Sequence, residues 1–207
     1  MPEEQRRHSL CEAAAEVFIR YGYTAASVDD VARAAGMSKR TLYRFFPSKA
    51  ALFEATISDA LGPLHLDTAI ELEPAVQVAL IGILEATGRH LLALRPTGIL
   101  RLVIAEGQRS PELAETFHRV LVTRGASALQ RRIEAEMRCG GLHPGDAGAT
   151  ARMLYGMALG STQICMLLGV RAVPTHAEIA SLARDAVAIF LNGARCLTVR
   201  PGDGTRL

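Results

Sequence analysis

Two short stretches of helical spacing, split by one glycine and each opened by a serine, constrain this chain more than any other feature. They lie in residues 27–53, S-V-D-D-V-A-R-A-A-G-M-S-K-R-T-L-Y-R-F-F-P-S-K-A-A-L-F. Ser27 with Asp30 three residues on is a capping-box start, with Asp where Glu or Gln is usual. Val28, Val31, Ala32 and Ala35 then follow helical spacing. Gly36 stands where a helix must end in a left-handed residue, which costs glycine least. Ser38 caps the next helix, expected over 39–46, and Pro47-Ser48 closes it and caps a third. A helix, a turn of a few residues and a second helix is the arrangement that lays the second helix in a DNA major groove.

Charge agrees with that placement. Between Val31 and Phe53 stand five basic residues, Arg33, Lys39, Arg40, Arg44 and Lys49, and no acid. Residues 50–207 balance fifteen Arg against fifteen acids, so the net charge of +2 comes wholly from residues 1–49. The only two lysines of the sequence are Lys39 and Lys49, both in this segment. A charge run alone is usually a solvated helix face. Here caps, turn and charge coincide, and that agreement across levels favours the DNA reading.

The segment resembles the DNA-binding domain of the TetR family of bacterial transcriptional regulators. The resemblance is carried by Tyr21-Gly22-Tyr23, Ser27-Val28, Val31-Ala32, Ala35-Gly36, Ser38, Thr41-Leu42-Tyr43, Phe46, Ser48-Lys49 and Leu52-Phe53. It covers about the first quarter of the chain. Beyond it, Arg101 to Phe117, R-L-V-I-A-E-G-Q-R-S-P-E-L-A-E-T-F, resembles one recurrent C-terminal branch of these regulators. The resemblance implies a dimeric repressor whose C-terminal helices enclose an inducer pocket, with inducer binding altering the spacing of two DNA-binding domains.

Within the second helix Leu42 and Phe46 fall four apart and should face the domain core. That turns Lys39, Arg40, Thr41, Tyr43 and Arg44 toward the groove. Arg40 and Arg44 suit bidentate bonds to guanine, and the Tyr43 hydroxyl suits a phosphate. Lys49 lies where the family grips a phosphate, beside an exposed helix N-terminus. Ser27 and Ser38, at two helix starts, complete the expected DNA-facing set. Arg6 and Arg7 reach either a phosphate or only solvent.

The remaining sequence reads as helix throughout, with Gly and Pro as punctuation. An all-α protein of about nine helices is expected: 4–21, 27–35, 39–46, 48–61, 75–94, 97–108, 111–139, 146–168 and 175–192. Residues 1–49 form the helix-turn-helix domain, running into a connecting helix at about 48–61. Residues 50–195 form a ligand-binding and dimerisation domain, and 196–207 a disordered tail. The N-terminus has no apolar core after its charges, so no signal peptide is expected. The longest uncharged run, Met153 to Val170, carries Gly156, Gly160, Ser161, Thr162 and Gln163 and reads as a buried helix rather than a membrane span. Cys11, Cys139, Cys165 and Cys196 are scattered without C-x-x-C spacing, which fits reduced thiols in a cytoplasmic protein, a redox sensor being the alternative.

Gly156 and Gly160, four apart, would let a neighbouring helix approach closely, and Ile179, Leu182, Ala183, Ala186, Val187 and Phe190 form an apolar stripe on the last helix. Two such helices from each of two subunits would build a four-helix homodimer interface. The other reading is that both complete the core of one subunit. Ile83, Thr87, Leu102, Phe117, Leu121, Tyr155, Met157 and Gln163 are the expected pocket lining, suited to a mainly lipophilic inducer. No cofactor and no metal are expected. Glu115-Thr116-Phe117-His118 matches the E-x-x-H of di-iron bundles, but the second copy such a site needs is missing. A ligand-independent DNA binder is the other rival, and the long, nearly neutral helical remainder counts against it. The expected partners are therefore a palindromic duplex operator, a lipophilic inducer and a second copy of the chain.

Overall fold

The computed structural model describes residues 2–62, 64, 66–123 and 127–194, with the side chains of residues 71, 121–123 and 194 outside that description. The expected tail at 196–207, with Cys196, lies outside the described residues. Twelve α-helices occur among the described residues, and no β-strand. They are α1 (Glu3–Tyr21), α2 (Val28–Ala34), α3 (Lys39–Phe45), α4 (Lys49–Ala60), α5 (Thr68–Glu71), α6 (Val76–Leu91), α7 (Leu94–Glu106), α8 (Pro111–Thr123), α9 (Ala128–Arg138), α10 (Ala147–Tyr155), α11 (Ser161–Leu167) and α12 (His176–Ala194). A π-helical turn, Gly156–Gly160, separates α10 from α11.

The all-α expectation holds, and the extra helices have local causes. The helix expected over 111–139 is two, because Ser127 starts a new one by accepting from the Gln130 N–H at 3.1 Å. The helix expected over 146–168 is interrupted where glycines at both ends of the π turn remove side chains that would favour α geometry. The helix start expected at 97 and the end expected at 94 shift because Pro96 lies in the first turn of α7, where its missing N–H would have had no intrahelical partner.

Packing divides the chain into two units that do not follow chain order. The first unit holds α1 to α4, α6 from Ala86, α7, α8 and α11. Its core joins Leu10, Ala14 and Phe18 of α1, Val31 of α2, Leu42 of α3, Leu52, Phe53 and Ile57 of α4, Ile99, Leu102 and Val103 of α7, and Leu113 of α8. Phe18 and Phe53 meet edge to face at 5.6 Å between centroids. Arg95 at the start of α7 binds Glu12 of α1 and Asp59 of α4, the latter at 2.9 Å, and His8 Nδ1 lies 2.6 Å from the same Asp59. Arg101 of α7 donates to the carbonyls of Met166 and Leu167, capping the end of α11. The helix-turn-helix therefore shares its hydrophobic core with α7 and α8.

The second unit holds α5, the start of α6, α9, α10, the π turn and α12. Leu80, Ile83 and Leu84 of α6, Leu129 and Ile133 of α9, Leu154 of α10, and Ile179, Ala183 and Val187 of α12 are buried. Arg132 of α9 pairs with Glu136 at 2.8 Å and donates to the carbonyls of Glu73 and Pro74, pinning the segment before α6. No single described helix is long and apolar enough to cross a membrane.

Candidate nucleic-acid interface

The two-helix segment is built by its caps. Ser27 Oγ accepts from the Asp30 N–H at 3.1 Å, and the Asp30 carboxylate accepts from the Ser27 N–H and hydroxyl, closing a reciprocal box. The Ser27 hydroxyl is the main reason the Asp30 carboxyl lies below its ordinary range, followed by the Ser27 N–H and Arg33. Gly36 has φ +64° and ends α2, as the spacing required. Ser38 Oγ accepts from the Thr41 N–H at 3.1 Å and starts α3, and Ser48 Oγ accepts from the Ala51 N–H and starts α4.

Leu42 and Phe46 are buried, so α3 turns its other face outward. Lys39, Arg40, Tyr43 and Arg44 are exposed on that face, with Thr41 and Lys49 half-buried beside them. Lys49 came from the family resemblance, and for Lys39, Arg40, Tyr43 and Arg44 exposure agrees with the spacing. Their partners were not visible in it. Lys39 Nζ lies 2.9 Å from Asp29, whose hydrogen bond and charge raise the Lys39 pKa. Arg33 pairs with Asp30 at 3.2 Å. The stretch from Val31 to Phe53 contains no acid, yet two aspartates just ahead of it fold back onto its cations. The Arg44 guanidinium stacks on the Phe45 ring at 5.2 Å, and Arg7 of α1 stacks on Phe46 at 5.6 Å. Among the described residues Arg40 makes no hydrogen bond or ion pair and is the cation most available to a base edge. Ser27, Ser38 and Thr41 are occupied with capping, since the two hydroxyls of Ser38 and Thr41 also meet at 2.9 Å.

Lys49 is placed differently from the rest. Its Nζ donates to the Thr24 carbonyl at 3.2 Å and sits 4.5 Å from the Tyr23 ring centroid. This partial desolvation lowers its pKa, against the opposing charge of Glu106. Sequence spacing could not have found Asp29 or Glu106, because neither contact follows from helical periodicity.

The other expected sites fare unevenly. Ile83 and Leu102 are closed core positions, 2% and 8% exposed, because α6 and α7 turn their apolar faces inward. Phe117 packs against the first unit's core, while Met157 is half exposed. Thr87 and Gln163 belong to the first unit and are half-buried, and the side chain of Leu121 lies outside the description. Tyr155, in the second unit, has its hydroxyl pushed up to about 12 by burial. The apolar stripe expected on α12 faces largely inward: Ile179 and Ala186 are 2% and 4% exposed, with Leu182 and Phe190 half-buried. Apolar residues that face outward include Leu72, Val78, Met153, Met157 and Ile189 in the second unit, and Leu94, Ile164, Leu168 and Val170 in the first. A Cβ added at Gly156 or Gly160 would meet nothing within 4 Å. The Cys11 thiol is pushed up to about 12, chiefly by burial and then by the charge of Asp59, which makes it a poor nucleophile. Among the described residues no cluster of His, Cys, Asp or Glu could hold a metal ion.

Comparison with known proteins matches both parts of the chain. Residues 10–56 match the family described as bacterial regulatory proteins, tetR family, and residues 79–193 the family described as AefR-like transcriptional repressor, C-terminal domain. The regulator MftR of Mycobacterium tuberculosis is 37% identical over 94 residues, covering 39% of this chain and 48% of that protein. The chain therefore spans about half the length of that relative. A TetR family transcriptional regulator from Pseudomonas syringae superposes with a TM-score of 0.75 at 25% identity, covering 94% of this chain and 98% of that one. FadR of Bacillus subtilis, solved in complex with stearoyl-CoA, superposes with a TM-score of 0.68 over 89% of this chain and 97% of its own, and at 17% identity shares the fold. Caps, turn, exposed cations and these matches together place the chain in the TetR family of DNA-binding transcriptional regulators.

Proposed function

We propose that this regulator is a homodimeric repressor that binds a palindromic operator and is released from it by a small lipophilic inducer. The observation that carries the DNA half is the outward face of α3, with Lys39, Arg40, Tyr43 and Arg44 exposed opposite buried Leu42 and Phe46. Arg40 and Arg44 read bases, Tyr43 and Lys49 hold phosphates, and Lys39 and Thr41 complete the groove-facing set. One short recognition helix rarely binds a site tightly, so two copies of the chain supply two half-sites. The second copy covers apolar residues left exposed on the protomer, such as Met153, Met157 and Ile189, and uses the room beside Gly156 and Gly160.

The inducer half rests on a helical remainder larger than a DNA clamp needs, the match to a repressor C-terminal domain, and a fold shared with an acyl-CoA-bound regulator. Tyr155, in the second unit, is the polar candidate for orienting such a ligand. The protein acts by binding and has no catalytic role in this reading.

A titration of the full chain against a duplex selected from a randomised library tests the proposal. Log affinity should fall with log salt at roughly −0.9 per phosphate contact. Affinity that is flat with salt, or equal on a scrambled duplex, overturns it.

A further inference from the structure

Glu106 is the last residue of α7, the end of a helix where the macrodipole disfavours a carboxylate. Bonds to a segment more than eighty residues away hold it there. Its Oε1 accepts from the Tyr23 N–H at 2.9 Å, and its Oε2 accepts from the Thr24 N–H at 3.1 Å and from Thr24 Oγ1 at 3.2 Å. Three donors from two consecutive residues converge on one carboxylate, the charge-assisted kind of hydrogen bond. Gly22 opens this turn with φ +82°, and a Cβ there would stand 2.4 Å from Glu106 Oε1. The turn therefore lacks a side chain where the carboxylate enters.

Lys49 grips the same two residues through other groups, the Thr24 carbonyl and the Tyr23 ring. That ring is wedged against Phe53 at 4.9 Å and Phe18 at 5.5 Å. Glu106, the Tyr23–Thr24 turn and Lys49 thus form an unbroken run of contacts from the end of α7 to the first turn of α4. It bypasses the recognition helix. Thr24 and Ala25 are exposed, so hydrogen bonding rather than burial fixes this part of the turn.

We infer that Glu106 is a positioning residue for DNA binding: through it α7 holds the Tyr23–Thr24 turn, and the turn sets where the Lys49 ammonium stands. The inference rests on the assignment of Lys49 as a phosphate contact. It gives α7 a handle on DNA affinity that leaves the base-reading side chains of α3 untouched. Displacing α7 lengthens three hydrogen bonds at once, and Lys49 loses the frame that aims it.

Fluorescence anisotropy of the full chain on a duplex selected by the wild type, across a salt series, tests this. The variants are Glu106→Gln, Lys49→Ala and the double substitution. Glu106→Gln should weaken binding about tenfold, on the scale of one lost charged hydrogen bond. It should also flatten the slope of log affinity against log salt by up to about 0.9, one phosphate contact. On the Lys49→Ala background it should add little. A full salt slope in Glu106→Gln, or losses that simply multiply in the double variant, overturns the inference and leaves Glu106 as a brace of the fold. Should Glu106→Gln fail to fold, Thr24→Val removes only the hydroxyl donor and is held to the same two criteria. If the wild type and Lys49→Ala share one slope, the phosphate role of Lys49 fails, and the inference with it.

Discussion

The cations of α3 differ in how ready they are to meet DNA. Lys39 is tied to Asp29 and Arg44 leans on Phe45, whereas Arg40 makes no hydrogen bond or ion pair among the described residues. The Lys39 pair is exposed and screened, so exchanging Asp29 for a phosphate costs little. Arg40 is therefore the strongest candidate for bidentate contact with guanine, and Tyr43 for a contact that carries no sequence information. Arg40→Ala should relax preference at particular positions, costing about 1–3 kcal/mol at the affected base pair. Tyr43→Phe should weaken all sequences alike. Selection from a randomised duplex library with each variant separates the two. If Arg40→Ala and Arg44→Ala both kept the wild-type preference, base reading would belong to Lys39 or Thr41.

At the scale of elements, the glycines make opposite predictions. Gly36 holds a left-handed conformation with open space around it, so Gly36→Ala should cost about 1–2 kcal/mol from backbone strain alone. Gly160 ends the π turn, and a Cβ there would meet nothing within 4 Å among the described residues. Gly160→Ala should be neutral, or stabilise by up to about 1 kcal/mol through helix propensity. Denaturant titration at several protein concentrations measures both. If Gly160→Ala destabilised only where the protein is associated, the glycine would serve a partner rather than the chain's own helix. Caps and the turn were legible because they depend on residues three or four apart. Ser27 with Asp30, Gly36, Ser38 and Ser48 all act within one helical turn. The contacts of Arg95 with Glu12 and Asp59, and of Glu106 with Tyr23 and Thr24, join helices far apart in sequence and leave no periodic trace. The α12 stripe left two readings open for a related reason. Spacing identifies an apolar face but cannot say whether its own chain or another covers it.

For the molecule as a whole, the two halves of the proposed function are linked by thermodynamics. An inducer releases operator only to the extent that it binds the DNA-free protein more tightly than the bound one, and the factor is the same in both directions. A coupling of about 1–3 kcal/mol would be ordinary, or 5- to 150-fold in operator affinity. Burial keeps Tyr155 protonated well beyond neutral pH, so its hydroxyl is a neutral group at physiological pH. Lipophilic molecules with one or two polar groups should therefore raise the melting temperature, and Tyr155→Phe should reduce that shift. The same molecules should lower operator affinity, most strongly for those that stabilise the free protein most. A library screen by thermal shift followed by operator competition measures both quantities. Compounds that stabilise the protein through Tyr155 yet leave operator affinity unchanged would reveal a pocket without a switch, and would favour a regulator that binds DNA independently of ligand.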